Sequence, residues 1–249
     1  MKRLVVHLAY TGTDFCGWQV QSGERTVQGV LEAALSRICE APIRVHGSGR
    51  TDSGVHALDQ VAHCDIPEQK AAIPWQKALN ALLPPDVAVL KSAWAGEDFH
   101  ARKSARAKEY TYRLWLEPAY VLPQYRPFVW PVGPLDLEAM RLSAEKLLGR
   151  RDFSAMQNAG TSVASPVRTV LKIAFQPGLR PEEVVCSLVA DGFLKQMARN
   201  MVSALVETGR GRMSPSGLGD LLESRDRRLG PATAPAKGLC LEKVIYDPE

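Results

Sequence analysis

The segment of the sequence best suited to chemistry is GSGRTDSGVHA, at residues 47–57. It places Arg50 and Asp52 two positions apart among three glycines, which let a backbone turn tightly and approach a ligand closely. A carboxylate beside a guanidinium suits nucleophilic or general base catalysis, because the cation favours the ionised carboxylate and fixes its orientation. The same residue types also fit a surface turn between two strands, in which Asp52 closes an Asx turn and Arg50 is solvated.

The glycine spacing argues against the two common types of nucleotide-binding loop. The glycines at 47 and 49 are followed by one at 54, which breaks the GxGxxG pattern, and the segment precedes a strand-like run where a helix would be needed. The sequence also contains no GxxxxGK[ST] motif. Dinucleotide redox chemistry and nucleotide hydrolysis are therefore both disfavoured.

The cysteines and histidines do not form the pattern of a metal site. The five cysteines include no CxxC pair, which is typical of reduced thiols in a cytosolic protein. The nearest group of ligand types is His56, His63 and Cys64, but adjacent residues of a strand point to opposite faces. We therefore expect no metal site.

Five blocks of the chain carry a family resemblance. GRTDSGVHA at residues 49–57 closely resembles the GRTDxGVHA motif of the tRNA pseudouridine synthase A family. The other blocks that resemble this family are DFCGWQ at 14–19, FHAR at 99–102 with YTY at 110–112, FLKQMARNM at 193–201, and TAPAKGL at 233–239. Small departures occur at Gln196 and Ala198, where the family often has His and Val, and at Cys240, where an aromatic residue is usual.

The resemblance implies an activity and a set of site residues. Enzymes of that family isomerise uridine to pseudouridine at nucleotides 38, 39 and 40 of the tRNA anticodon stem-loop, as homodimers without cofactor or metal. By resemblance, Asp52 is the catalytic residue and Arg50 lies beside it. Arg50, Tyr110, Arg199 and Leu239 are then substrate-binding residues, with Tyr110 against the target base, and tRNA is the partner.

The residue types suit that reaction. It breaks a C–N glycosidic bond, turns the freed base and rejoins it through carbon, so it needs a carboxylate but no redox group. Whether Asp52 attacks the sugar, adds to the uracil ring or removes a sugar proton stays open. The target uridine must leave its stem, and stacking on Tyr110 would supply about 1–3 kcal/mol. Alternation places Tyr110 on one strand face with Tyr112, Leu114 and Leu116, so a core tyrosine is the alternative.

The periodicity predicts the elements that position these residues. The order β-α-β-β-α-β occurs twice, which is typical of two ferredoxin-like halves with mainly antiparallel sheets in an α+β fold. We predict an N-terminal domain at 1–104, which carries the Asp52 segment, and a C-terminal domain at 105–249, which carries Tyr110 and further RNA contacts. Predicted strands are 4–10, 43–47, 59–66, 87–94, 108–116, 168–175, 183–189 and 239–246, and predicted helices begin at the caps Thr26, Asp136 and Ser214 and cover 74–82 and 192–208.

The charge is modest but uneven. The chain has 31 basic and 27 acidic residues, a net charge of +4, and the whole excess lies in residues 105–249. Basic residues concentrate at 99–113, where five lysines and arginines accompany one glutamate. A solvated face is the ordinary interpretation, but beside Tyr110 we favour an RNA phosphate contact, which should weaken with salt.

The apolar segments of the sequence bear on whether the protein is secreted or crosses a membrane. The apolar stretch before His7 is too short for a signal peptide, and no run approaches the ~20 residues of a membrane span. We therefore expect a soluble, cytoplasmic protein with no membrane partner. Two alternatives to the enzyme stay open, a related pseudouridine synthase with another RNA target and a non-catalytic RNA-binding protein. Only an enzyme requires Asp52 beside Arg50.

Overall fold

The computed structural model describes residues 1–160 and 163–247, which form strands and helices in the mixed order of an α+β fold. The α+β class predicted from the sequence is confirmed. Contacts divide the chain into a first unit, Met1–Arg106 with Cys240–Glu249, and a second unit, Ala107–Leu239. Within the described residues, no helix combines the length and apolar character needed to cross a bilayer.

The first unit has the β-α-β-β-α-β order predicted for it. Strand β1 pairs antiparallel with β3 on one side and with β4 on the other. The other edge of β3 pairs with β2 near His63 and, in parallel, with β10 near His56. The elements are β1 (Lys2–Tyr10), α1 (Val27–Cys39), β2 (His46–Gly47), β3 (His56–Ile66), α2 (Trp75–Asn80) and β4 (Val87–Ala95), with β10 (Leu239–Ile245) at the end of the chain.

Helix α1 shows how the local sequence builds this unit. Its first turn is capped by Thr26, whose hydroxyl accepts a hydrogen bond from the backbone N–H of Gly29. Apolar side chains at helical spacing, including Leu31 and Leu35, are fully buried. The helix ends where Glu40 takes a left-handed conformation.

The second unit is built on an antiparallel sheet in the order β5-β9-β8-β7, with β6 parallel to β5. Helices α3 and α4 contact each other, and so do α3 and α5. The elements are β5 (Ala107–Trp115), β6 (Trp130–Pro131), α3 (Leu137–Ala144), β7 (Gly149–Asp152), β8 (Val167–Pro177), β9 (Glu183–Ala190), α4 (Met197–Gly209) and α5 (Pro215–Ser224).

Several element bounds differ from those predicted. The strand expected at 43–47 is confined to His46–Gly47. The helix expected from residue 192 begins at Met197, because Gln196 adopts a left-handed conformation that a helix cannot continue through. The two short strands β6 and β7 were not predicted from the sequence. Residues 240–247, which the sequence pattern placed with the second half, belong to the first unit.

Candidate active site

Asp52 lies in the loop between β2 and β3, residues 48–55, which we name the Asp52 loop. The residue before it, Thr51, is fixed through both its side chain and its backbone. Its buried hydroxyl shares a hydrogen bond of 2.8 Å with the hydroxyl of Tyr10. Its carbonyl accepts from the backbone N–H of Trp18 at 3.1 Å. Because burial raises the pKa of Tyr10, that hydroxyl stays protonated, and the backbone that carries Asp52 is held in place.

Residues 14–19, the early block of the family resemblance, pack against the Asp52 loop. The carbonyl of Phe15 accepts a hydrogen bond from the Ser53 hydroxyl at 3.2 Å. Gly17 has a φ of +84°, and a Cβ at this position would lie 2.6 Å from the Thr51 carbonyl oxygen. Glycine at 17 is therefore required both by the backbone conformation and by the close approach of the two segments.

The first residues of the Asp52 loop are tied to β3. The hydroxyl of Ser48 donates to the side-chain oxygen of Gln60 at 2.6 Å, and the amide nitrogen of Gln60 donates to the Gly49 carbonyl at 3.0 Å. Both Ser48 and Gln60 are fully buried. The loop is thus anchored at its base as well as at Thr51, which suits a reactive side chain that must hold one position.

The two charged residues of the loop differ in exposure. Asp52 is half-buried, and its carbonyl accepts from the backbone N–H of Val55 at 3.1 Å, which closes a turn. Arg50 is exposed and, among the described residues, makes no ion pair. Both residues therefore lie on one loop, and the Arg50 side chain is open to solvent.

Tyr110 lies on β5 in the second unit, opposite Leu188 of β9. Its ring is buried and meets the ring of Phe193 edge to face, with the centroids 5.0 Å apart. Phe193 belongs to the block at 193–201 but precedes α4, so the two blocks of the resemblance meet through this aromatic pair. The Tyr110 ring therefore packs against the segment that leads into α4.

Tyr112, two residues further along the same face of β5, packs within the protein. Its hydroxyl donates to the Pro235 carbonyl at 2.6 Å, and burial raises its pKa strongly. A Cβ at Gly238 would lie 2.4 Å from the Tyr112 ring, so the segment at 233–239 packs directly on this tyrosine. The predicted face of β5 is confirmed for Tyr110, Tyr112 and Leu114, which are all buried, whereas Leu116 lies beyond the end of the strand and is half-buried.

Arg199 and Leu239 are connected through that same segment. Arg199, in the first turn of α4, donates from Nε to the Ala234 carbonyl at 2.8 Å. It is half-buried, unlike the fully solvated arginine that is usual on the free face of a helix. Leu239 is buried at the start of β10. The structure therefore links Arg199 to the segment that ends at Leu239.

A polar network beside Arg199 was not found by sequence reasoning. The guanidinium of Arg227 donates to the side-chain oxygens of Asn158 and Asn200, each at 2.9 Å, and to the Pro231 carbonyl at 2.7 Å. The hydroxyl of Thr233 donates to the same Asn200 oxygen at 2.8 Å. Burial lowers the pKa of Arg227, and the oxygens that accept from its guanidinium in this network are uncharged. We call Asn158, Asn200, Arg227 and Thr233 the Arg227 network.

Only two of the four residues of the Arg227 network could have been singled out from the sequence. Asn200 and Thr233 lie within matched blocks of the family resemblance, but Asn158 and Arg227 lie outside all of them.

Of the predicted site residues, the structure places Arg50 and Asp52 on one loop of the first unit. It places Tyr110, Arg199 and Leu239 in the second unit.

Comparisons with known proteins agree with the motif. A family model described as tRNA pseudouridine synthase matches residues 7–102 and 143–247. Among curated proteins, a tRNA pseudouridine synthase A of Solidesulfovibrio magneticus is 54% identical over 251 residues, covering 99% of this chain and 92% of the relative. The corresponding protein of Maridesulfovibrio salexigens is 50% identical, covering 99% and 91%. That of Oleidesulfovibrio alaskensis is 48% identical, covering 100% and 98%.

Proposed function

This chain belongs to the tRNA pseudouridine synthase family, and from that membership we propose that it isomerises uridines 38, 39 and 40 of the tRNA anticodon stem-loop, with Asp52 as the catalytic carboxylate. Family membership supports an isomerase acting on tRNA. The nucleotide positions come from the resemblance of the five sequence blocks. The observation that carries the proposal is the Asp52 loop, where a family motif coincides with a carboxylate on a firmly anchored backbone.

The reaction is an isomerisation in which atoms and electrons balance within the nucleotide. The bond from the sugar to the uracil nitrogen breaks, the base turns, a carbon–carbon bond forms to the same sugar carbon, and the proton on that uracil carbon is released as another is taken up at the nitrogen. A carboxylate assists as a nucleophile on the sugar or the ring, or as a base for a sugar proton. All of these routes require Asp52 to be ionised and fixed. The anchored backbone of the Asp52 loop supports the second requirement.

The second unit supplies the proposed contacts to the extruded base. Tyr110 stacks on the uracil, and its hydroxyl is available for proton transfer. Leu239 packs near the same base, and Arg199 contacts the substrate from the segment that it holds at Ala234. Arg50, exposed beside Asp52, binds the RNA in the vicinity of the target nucleotide.

The proposal extends to assembly and location. By resemblance, the first unit contributes the catalytic loop and the second the base-stacking tyrosine, the protein acts as a homodimer in the cytoplasm, and it uses neither metal nor cofactor. Light scattering of the purified protein tests the dimer directly. A mass of one chain at micromolar concentration would contradict it.

The test of the catalytic role is Asp52→Asn. The substitution keeps the size of the side chain and one acceptor oxygen but removes the charge, so tRNA binding should persist while pseudouridine formation is lost. Asp98→Asn, which changes an exposed aspartate of the same unit, is the matched control and should keep wild-type turnover. Substantial turnover by Asp52→Asn would show that another group performs the chemistry.

The test of the target is a map of pseudouridine in RNA from cells that lack this protein. Loss confined to nucleotides 38–40 of tRNA supports the proposal. Loss at other nucleotides or in another RNA would identify a related synthase with a different target. An unchanged map together with retained RNA binding would identify a non-catalytic RNA-binding protein.

A further inference from the structure

The basic run at 99–113 contains two cations that differ from the others. Arg102 and Lys103 are exposed, and among the described residues neither side chain makes an ion pair or a hydrogen bond. Arg106 is paired with Asp247 at 2.6 Å, so its charge is compensated within the protein. Only part of the run is therefore available to an anionic partner.

Arg102 and Lys103 are carried by a turn, residues 100–104, which we name the basic turn. The turn is closed by two hydrogen bonds between its ends. The His100 N–H donates to the Ser104 hydroxyl at 3.0 Å, and the Ser104 N–H donates to the His100 carbonyl at 2.9 Å. In the middle, the Ala101 carbonyl accepts from the Tyr246 hydroxyl at 2.7 Å. The backbone is thus fixed while the two cationic side chains extend from it.

Two histidine rings hold the remaining backbone groups of the basic turn. The Nδ1 of His63 accepts from the Ala101 N–H at 3.2 Å. The Nδ1 of His100 accepts from the N–H groups of Arg102 and Lys103, at 3.1 and 3.4 Å. Both rings must therefore lack a proton on Nδ1 for the turn to keep this conformation.

The surroundings keep these rings neutral. Burial lowers the pKa of His63 to about 4, aided by the neighbouring rings of His100 and His46 and by Arg3, while Asp65 opposes the shift. Burial likewise lowers the pKa of His100, aided by Lys103, His46 and Arg3. The rings are in contact, with the His63 and His100 centroids 4.7 Å apart and the His46 and His63 centroids 5.1 Å apart.

We propose that the basic turn is a phosphate-binding surface of the first unit, through which Arg102 and Lys103 hold the backbone of the RNA substrate. His63 and His100 are positioning residues that act through the turn. Two adjacent uncompensated cations on a prefixed backbone favour a polyanion, because little backbone freedom is lost when the phosphates bind. The choice of RNA as the polyanion rests on the proposed function.

The test of the surface is the salt dependence of tRNA binding. Removing a phosphate contact lowers the slope of log K against log salt by about 0.7–0.9. The double variant Arg102→Ala/Lys103→Ala should therefore lower the slope by about 1.4–1.8, because it removes both cations that bind phosphate. Arg106→Ala removes one charge of the same run, but a paired one, and should leave the slope unchanged.

Two outcomes would overturn the proposal. One is an unchanged slope in the double variant. The other is a decrease in Arg106→Ala as large, per charge removed, as in the double variant, since net charge alone would then account for binding. The measurement is independent of turnover. A wild-type protein that binds tRNA but forms no pseudouridine would contradict the proposed function, whereas an active enzyme with an unchanged slope would contradict this surface.

The positioning role is tested at His100. In His100→Asn the side-chain oxygen can replace Nδ1 as the acceptor, whereas His100→Leu has none. We expect His100→Leu to weaken tRNA binding and lower the salt slope, and His100→Asn to restore both. In the Arg102→Ala/Lys103→Ala background, His100→Leu should have no further effect on binding. An effect of equal size in that background would show that His100 acts through general destabilisation, and it would overturn the positioning role.

Discussion

Thr51, the residue before Asp52, bonds through its hydroxyl to Tyr10 and through its carbonyl to Trp18. Thr51→Val keeps the shape of the side chain but leaves the buried Tyr10 hydroxyl without this partner. Such a loss costs about 1–3 kcal/mol. We expect a decrease of that size in the free energy of unfolding, measured with urea, together with a lower kcat because Asp52 is no longer held in one position.

The controls for this prediction separate the hydroxyl from the rest of the side chain. Thr51→Ser retains the hydroxyl and should keep most of the stability and turnover. Tyr10→Phe removes the other partner, and the double variant Thr51→Val/Tyr10→Phe should lose less than the sum of the two. Additive losses would mean that the two hydroxyls are not coupled.

Tyr110 has two proposed roles, and its hydroxyl separates them. Tyr110→Phe keeps the ring and its contact with Phe193, so the KM for tRNA should change little. Loss of a proton-transfer group typically lowers the rate by roughly 10²–10⁴, and we expect kcat to fall within that range. Tyr112→Phe is the matched control, because it removes a hydroxyl that is bound to the Pro235 carbonyl. A kcat for Tyr110→Phe equal to that of the wild type would confine Tyr110 to stacking.

At the scale of elements, the Arg227 network joins the start of α4 to the loops at Asn158 and Thr233. Arg227→Met preserves the length of the side chain but removes the donors from several buried oxygens. Hydrogen bonds to charged groups contribute about 1.5–3 kcal/mol, and we expect an unfolding free energy lower by at least that amount. Because Ala234 follows Thr233, Arg199 should also lose its fixed place, which we expect to appear as a higher KM for tRNA.

The neighbouring Arg228→Met provides the control for that experiment. Arg228 is exposed and, among the described residues, pairs only with Asp226 in its own turn, so its loss should change both stability and KM little. Equal effects of the two substitutions would mean that the network does not position Arg199.

Strand β3 carries a pH-dependent contribution to stability at His63. Its pKa is about 4 in the folded protein and about 6.5 in an unfolded chain, so the unfolded state takes up the proton first as the pH falls. The free energy of unfolding should therefore decrease between pH 6.5 and pH 4, by up to about 3 kcal/mol. Urea titrations across that range measure it. His63→Asn keeps an acceptor for the Ala101 N–H but does not titrate, so a pH profile unchanged by this substitution would contradict the assignment.

The helix ends show which elements could be predicted from the sequence. The caps at Thr26, Asp136 and Ser214 were predicted and form the expected hydrogen bonds, because capping depends on residues within one turn. The start of α4 was not, because Gln196 takes its left-handed conformation while its side chain accepts a hydrogen bond from Asn158, far away in the chain. Helix caps can be predicted from neighbouring residues, whereas a conformation accompanied by a hydrogen bond to a distant residue cannot.

The same distinction applies to the candidate site. Asp52 was predicted from a contiguous motif, and its exposed neighbour Arg50 from the same nine residues. The groups that hold the loop, Tyr10 and Gln60, come from β1 and β3 and carry no motif of their own. Arg50 and Asp52 lie on one loop, as their spacing implies, but the contacts that hold this loop come from distant parts of the chain that the motif does not show.

At the scale of the whole molecule, the last strand returns to the first unit. Leu241 of β10 is fully buried and lies opposite Ala57 of β3, although about 180 residues separate them in the chain. Leu241→Ala should lower the unfolding free energy by about 2–5 kcal/mol, as expected for a buried leucine. The loss should appear as faster amide hydrogen exchange in β3, in the first unit. Leu179→Ala, at a residue that is 86% exposed, is the control and should leave exchange unchanged. Faster exchange confined to residues 107–239 would instead place the strand with the second half, as its position in the sequence suggested.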